Sequence, residues 1–190
     1  MAVRQGTTFD PSVVGLITLQ YKGSEHTGTI DVLDCVGMIQ AEPTMRTKTK
    51  TCNGATKDER VYVQYQTVTV TAYVSIEAMR TLTGMHSDGL AEGVFAYGIS
   101  SKAPALTITA RLLDDMEELE KIVAFPHASI STGLQFTVDN DSDEVAKVDL
   151  VFKAMMDEKG NFYYEKQVDS PTDAEEWEAG FTTAMVEAGA

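Results

Sequence analysis

The 190-residue chain predicts a mainly β protein: a sandwich or barrel with one short flanking α-helix and extended terminal arms. Three observations carry that prediction. Apolar and polar residues alternate at period two in segment after segment, the pattern of strands that bury one face. Turn-forming residues punctuate these segments so closely that nine or ten strands fit into the chain, as in sandwiches and barrels. Helical spacing of apolar residues is confined to one short internal stretch and the carboxy-terminal end. At 43% hydrophobic the chain can bury one real core, and its length favours a single domain over residues 13–169.

Residues 1–12 are polar, include Pro11 and read as an amino-terminal arm. They have neither the charged n-region nor the apolar h-region of a signal peptide, and no run is apolar for long enough to span a membrane, so a soluble, cytoplasmically made protein is expected. Strands are expected at 13–21, 29–33, 36–40 and 45–51. The last of these belongs to "TMRTKTKTCNGATKDER", residues 44–60, where Arg46, Lys48 and Lys50 alternate with Thr47, Thr49 and Thr51 before Asn53-Gly54. Core strands do not stay polar on both faces for so long, so this segment is expected to leave the domain as a projecting hairpin. Lysines guarding an exposed edge would explain it plainly. An arm reaching a partner is favoured, because a third of all Lys and Arg residues lie between Arg46 and Arg60.

In the next segment Val61, Val63 and Tyr65 are apolar at odd positions, whereas Val68, Val70, Ala72 and Val74 are apolar at even ones. The face flips at Gln66 and Thr67, as a β-bulge or a strand crossing between sheets would make it do. A helix over 75–83 follows. Ser75 supplies an N-cap, Glu77 suits the positive end, Ile76, Met79 and Leu82 recur at a spacing of three, and Gly84 stops the run. Further strands are expected at 94–99, 105–112, 121–131 and 134–138. In "VAKVDLVFKAMM" Ala146, Val148, Leu150, Phe152, Ala154 and Met156 share one parity and define a buried face. "FYYEKQV", residues 162–168, resumes after a turn containing Gly160 and reads as the second arm of a hairpin. Residues 170–190 form an acidic segment that opens like a helix at Pro171 with the Thr172/Glu175 pair, and puts Trp177 and Phe181 on one face. That helix docks either on its own domain or on a neighbouring subunit.

Charge and motifs exclude several functions. The net charge is −14; residues 1–60 balance seven basic against seven acidic residues, so the whole excess lies in the later part of the chain. Such a molecule repels polyphosphate, as a protein that grips nucleic acid would not and a surface that must let DNA slip past would. His26, His86 and His127 lie in separate segments without metal-ligand spacing, and Cys35 and Cys52 lack a CxxC or nucleophile signature and are expected as packed, reduced thiols. No P-loop, GxGxxG or GxSxG occurs. "DNDSDE", residues 139–144, imitates the start of a calcium loop, but position six is Glu144 and position twelve Leu150, so it reads as a solvated turn. "DDMEELE", residues 114–120, reads as an exposed acidic loop. No catalytic, cofactor-binding or metal-ligating residue is expected, and no cofactor.

The order of features resembles the major tail proteins of long-tailed, non-contractile bacteriophages: a polar arm, a two-sided polar hairpin, the face-switching strand "VYVQYQTVTVTAYV", the helix "SIEAMRTLTGM", the loop "HSDGLAEGV" and the closing "VDLVFKAMMDEKGNFYYEKQVD". The resemblance spans most of residues 13–169 and is one of layout. It implies a β-sandwich of the phage tail-tube type with no catalysis. The chain would form hexameric rings stacked into the tube of a virion, made in the host bacterial cytoplasm. Tape measure and tail terminator proteins would be its neighbours, and DNA would transit the lumen without specific binding. Arg46, Lys48 and Lys50 are the expected inter-ring contact, meeting acidic surface on the adjacent ring. Two alternatives stay open: a carbohydrate- or ligand-binding β-sandwich using Tyr62, Tyr65 or Tyr73 as stacking platforms, and the tube protein of a contractile tail or secretion-system needle.

Overall fold

A computed structural model describes residues 11–23, 28–33, 35–114, 120–136, 147–168 and 171–187. The arm before residue 11, His26, the 139–144 turn and the middle of the 114–120 loop lie outside the described residues. Among the described residues, eight strands form a single antiparallel sheet: β1 (Pro11–Tyr21), β2 (Ile30–Leu33), β3 (Val36–Cys52), β4 (Ala55–Ala72), β5 (Leu106–Asp114), β6 (Glu120–Ile130), β7 (Val148–Ala154) and β8 (Tyr164–Val168). Helices α1 (Ile76–Thr83) and α2 (Pro171–Gly180) and a 3-10 turn at Thr183–Val186 accompany the sheet. The strand order is β2-β1-β5-β6-β7-β4-β3, with β8 beside β6. The sheet curls until β3 lies near β1, and the space enclosed is the core.

That core takes one parity from each strand, as period two requires. Ile17, Leu19 and Tyr21 of β1 meet Leu106, Ile108 and Ala110 of β5, Val68, Val70 and Ala72 of β4, and Leu150, Phe152 and Ala154 of β7. Helix α1 closes the space with Leu82. Its caps are those the sequence predicts. The Ser75 hydroxyl accepts from the Ala78 N–H at 3.1 Å, and Gly84 sits in the left-handed region at φ 66°. A Cβ on Gly84 would lie 2.2 Å from the Lys102 carbonyl oxygen, so both the conformation and the close approach require glycine. The buried face differs by one position from expectation. Ala78 and Leu82 are buried, Met79 is partly so, and Ile76 is 70% exposed, because a helix this short buries an i, i+4 pair against the sheet and leaves its first residue at the rim.

Several expected boundaries change. Segments 36–40 and 45–51 are one strand, β3, which runs through Pro43; as an edge strand it tolerates a residue without an N–H. The face flip in β4 is a bulge, as predicted, but at Gln64: Thr44 opposes Tyr65 and Met45 opposes Val63, leaving Gln64 over. Segment 94–99 is no strand. Gly93 precedes it and Gly98 interrupts it, its side chains have no ladder to bury them, and only one bridge, His86 to Ala96, forms. Residues 134–136 are likewise irregular, and the remainder of that expected strand lies outside the described residues. Met156 is exposed because β7 ends at Ala154.

The expected β7–β8 hairpin is absent for a reason legible in β6. Residues 120–124 pair with β8 and residues 128–130 with β7 along the same edge, and the change of partner falls at Pro126, which cannot donate to a ladder. Asp157 folds the connection back, accepting from the Lys159 and Asn161 N–H groups at 2.9 Å and from the Tyr164 hydroxyl at 2.7 Å. Burial opposes ionisation of Asp157, but these donors outweigh it and hold its pKa below the ordinary value.

Helix α2 settles across the outer side of β6 and β8. Trp177 and Phe181 pack edge to face at 4.7 Å over Ile122 and Ala124, and Arg111 grips Glu178 through two hydrogen bonds of 2.9 Å. Of the two destinations left open by the sequence, the helix takes its own domain. The cysteines correct another expectation: Cys35 and Cys52 are free thiols, but exposed, because they sit at the two ends of an edge strand instead of in the core.

Candidate functional site

The predicted hairpin is the most unusual feature of the surface. From Met45 round to Gln64 every residue is exposed on both faces. Ten residues of β4, 55–64, extend this arm by roughly 33 Å at a strand's rise per residue. Asn53 and Gly54 make the turn with φ 52° and 77°, the two positive values of a two-residue type I′ hairpin. A second bulge, at Lys57, lies between the Lys50–Asp58 and Thr51–Thr56 pairs.

Register sorts the arm into two faces. One carries Arg46, Lys48 and Lys50 of β3 opposite Tyr62, Arg60 and Asp58 of β4. Lys48 and Arg60 are directly opposed, a like-charge pairing that costs stability in a ladder. Asp58 offsets it weakly, reaching Arg60 at 3.5 Å, and the Tyr62 ring lies 5.8 Å from the Lys48 ammonium. Arg46, Lys48 and Tyr62, with Val63 and Gln64, line a notch of about 320 Å³. The other face continues the core side of the sheet beyond the body. Met45, Val61 and Val63 stand there 53%, 52% and 38% exposed, beside Thr47 and Thr49. The three predicted contact residues are therefore brought together on one face. Sequence reasoning named Arg60 and Tyr62 but did not place them beside these three residues, and it missed the apolar face behind them. Those placements depend on knowing that the chain turns at 53–54 and slips one residue at Lys57.

The uncovered side of the sheet body is mostly polar, with Met38 beside Thr71 and Val151 beside Thr69 as its apolar members. Thr67, Thr69 and Thr71 of β4 lie between Gln40 and Glu42 on one side and Asp149 and Lys153 on the other. The three candidate platform tyrosines each have a lysine at the ring: Lys48 approaches Tyr62, Lys153 stands 3.9 Å over Tyr65, and Lys147 stands 5.7 Å from Tyr73. A recess of about 360 Å³ between β1, β6 and the β7–β8 connection holds Lys22, His127, Asp157 and Glu158. Burial lowers the Lys22 pKa against the pull of the two carboxylates, and its ammonium donates to the Pro126 carbonyl at 2.5 Å. Lys22 and Asp157 are thus occupied in holding the fold.

Among the described residues no three His, Cys, Asp or Glu side chains are grouped to hold a metal, and no helix is long and apolar enough to cross a membrane. Comparison of the sequence with models of known protein families and with curated proteins gives no match.

Proposed function

We propose that the protein is a structural subunit that assembles with copies of itself into stacked, hexameric rings, forming the tail tube of a long-tailed bacteriophage virion. The observation that carries this reading is the arm itself. A hairpin with an apolar face and a basic face, both bare, has no role inside its own domain, and an open edge such as β3 invites pairing with another chain. A molecule of net charge −14 offers its own copies an acidic surface for that basic face. The mostly polar, uncovered side of β3, β4 and β7 is our candidate for the channel wall. Its Glu42 and Asp149 balance Lys147 and Lys153, and both lysines lie against tyrosine rings. Such a wall offers duplex DNA little to grip.

Arg46→Glu, Lys48→Glu and Lys50→Glu together test the reading. The variant is expected to remain a folded monomer, with unchanged circular dichroism, and to form no tubes. Normal tubes from this variant would show that the basic face is not the contact.

A further inference from the structure

The hairpin and a second unusual surface sit at opposite ends of strand β4. The tip of the arm is at Ala55, where β4 begins; at the other end β4 passes into α1 and then into the segment of residues 85–101. That segment is held in one shape. His86 and Ala96 exchange backbone hydrogen bonds of 3.1 and 2.9 Å, the His86 Nδ1 lies 3.1 Å from the Ala96 carbonyl, and Arg80 stacks on Phe95 at 3.9 Å. Tight turns close at Ser87–Leu90, Ala91–Val94 and Gly98–Ser101. Yet its apolar side chains face water: Leu90 is 42%, Val94 48% and Ile99 fully exposed. The segment contains two acids, Asp88 and Glu92, both exposed, and neither lysine nor arginine. An ordered, apolar, acidic loop matches, feature for feature, a hairpin that is apolar on one side and basic on the other.

We infer that residues 85–101 are the socket for the hairpin of a second copy: Leu90, Val94 and Ile99 cover Met45, Val61 and Val63, while Asp88 or Glu92 enters the notch of Arg46, Lys48 and Tyr62. A two-stranded ribbon is narrow enough for one loop at its edge to reach both faces. A carboxylate placed there also relieves the opposition of Lys48 and Arg60. Because plug and socket lie at opposite ends of one strand, the contact is head-to-tail and does not close on itself. Each copy leaves a socket free for the next, which is the geometry of a filament growing along β4. This inference rests on the self-assembly reading and names the surface that reading leaves undefined.

The test has two arms, both on the full chain. Asp88→Lys with Glu92→Lys should raise the concentration needed for assembly at least about tenfold, and adding the Arg46→Glu and Lys48→Glu changes to the same chain should bring it back down. In the second arm, Ile99→Cys in a chain with Cys35→Ser and Cys52→Ser carries a benzophenone label. Irradiation of the assembled protein should join it to a peptide within residues 45–63 of another chain. Tubes that form while the label joins elsewhere, or an acceptor variant that assembles at the wild-type concentration, overturn the socket and leave the tube reading standing. Wild-type protein that stays monomeric at every concentration overturns both.

Discussion

Phe152→Ala tests the core on which the rest depends. Phe152 is fully buried, pairs with Val68 of β4 and Ile130 of β6, and so sits where β7 joins the two halves of the sheet. Removing a ring that buries roughly 150–250 Å² forfeits several kcal/mol of transfer energy at about 25 cal/mol per Å², and the unfilled cavity adds more. Alanine keeps part of that area and the core partly closes around the gap, so the expected loss is about 3–5 kcal/mol, as is typical of Phe-to-Ala changes. Against a total stability of about 5–15 kcal/mol, that is a large share. With a urea dependence of about 2–3 kcal/mol per molar, the midpoint should fall by roughly 1–2.5 M. Trp177, the only tryptophan, is buried against Phe181 and reports unfolding by its fluorescence. Phe136→Ala is the control, because Phe136 is 81% exposed; it should shift stability by no more than about 0.5 kcal/mol. Equal midpoints for the two variants would refute the assignment of the β7 inner face to the core.

Gly84→Ala should cost about 1–3 kcal/mol from the left-handed conformation alone, and more from the contact with the Lys102 backbone. Gly89→Ala, at φ 74° but in open space, should show the conformational cost only, so equal falls in Tm would refute the close approach. Glu165 accepts from the Tyr163 hydroxyl at 2.6 Å and from Lys121 at 3.0 Å, and these partners hold its pKa below the ordinary 4.5. A carboxylate with a lowered folded pKa stabilises fully above its unfolded value, and that contribution fades as pH falls through the folded one. Wild-type protein should therefore lose more stability than Glu165→Gln between about pH 5 and pH 3, and parallel denaturation profiles over that range would refute the linkage.

Period two makes β7 legible: its alternation is enough by itself to name Leu150, Phe152 and Ala154 as buried, whereas β1 and β5 also bury Thr18, Thr107 and Thr109, which their polar character hides. Capping chemistry makes α1 legible, and the sign of the β4 face flip announces its bulge. The order of strands is not legible, because alternation says which face is buried but not which edge is paired. The partner change at Pro126 therefore turns the expected last hairpin into two strands that share one edge of β6. The exposed loop of residues 85–101 misleads for a related reason. Val94, Ala96, Tyr97 and Ile99 look like strand residues, and only the absence of a neighbouring ladder shows that their apolar surface is left bare. Of the candidate site, composition reveals the basic side of the hairpin. Its apolar side and the Lys48–Arg60 opposition follow only from register.

Electron microscopy of the purified chain across a concentration series tests the central claim most directly. Stacked rings are the expected result, with an axial repeat well short of the roughly 60 Å spanned by the eighteen residues of β4, because each hairpin overlaps the next ring. Particles that remain single chains at every concentration, or rings that never stack, would contradict the account.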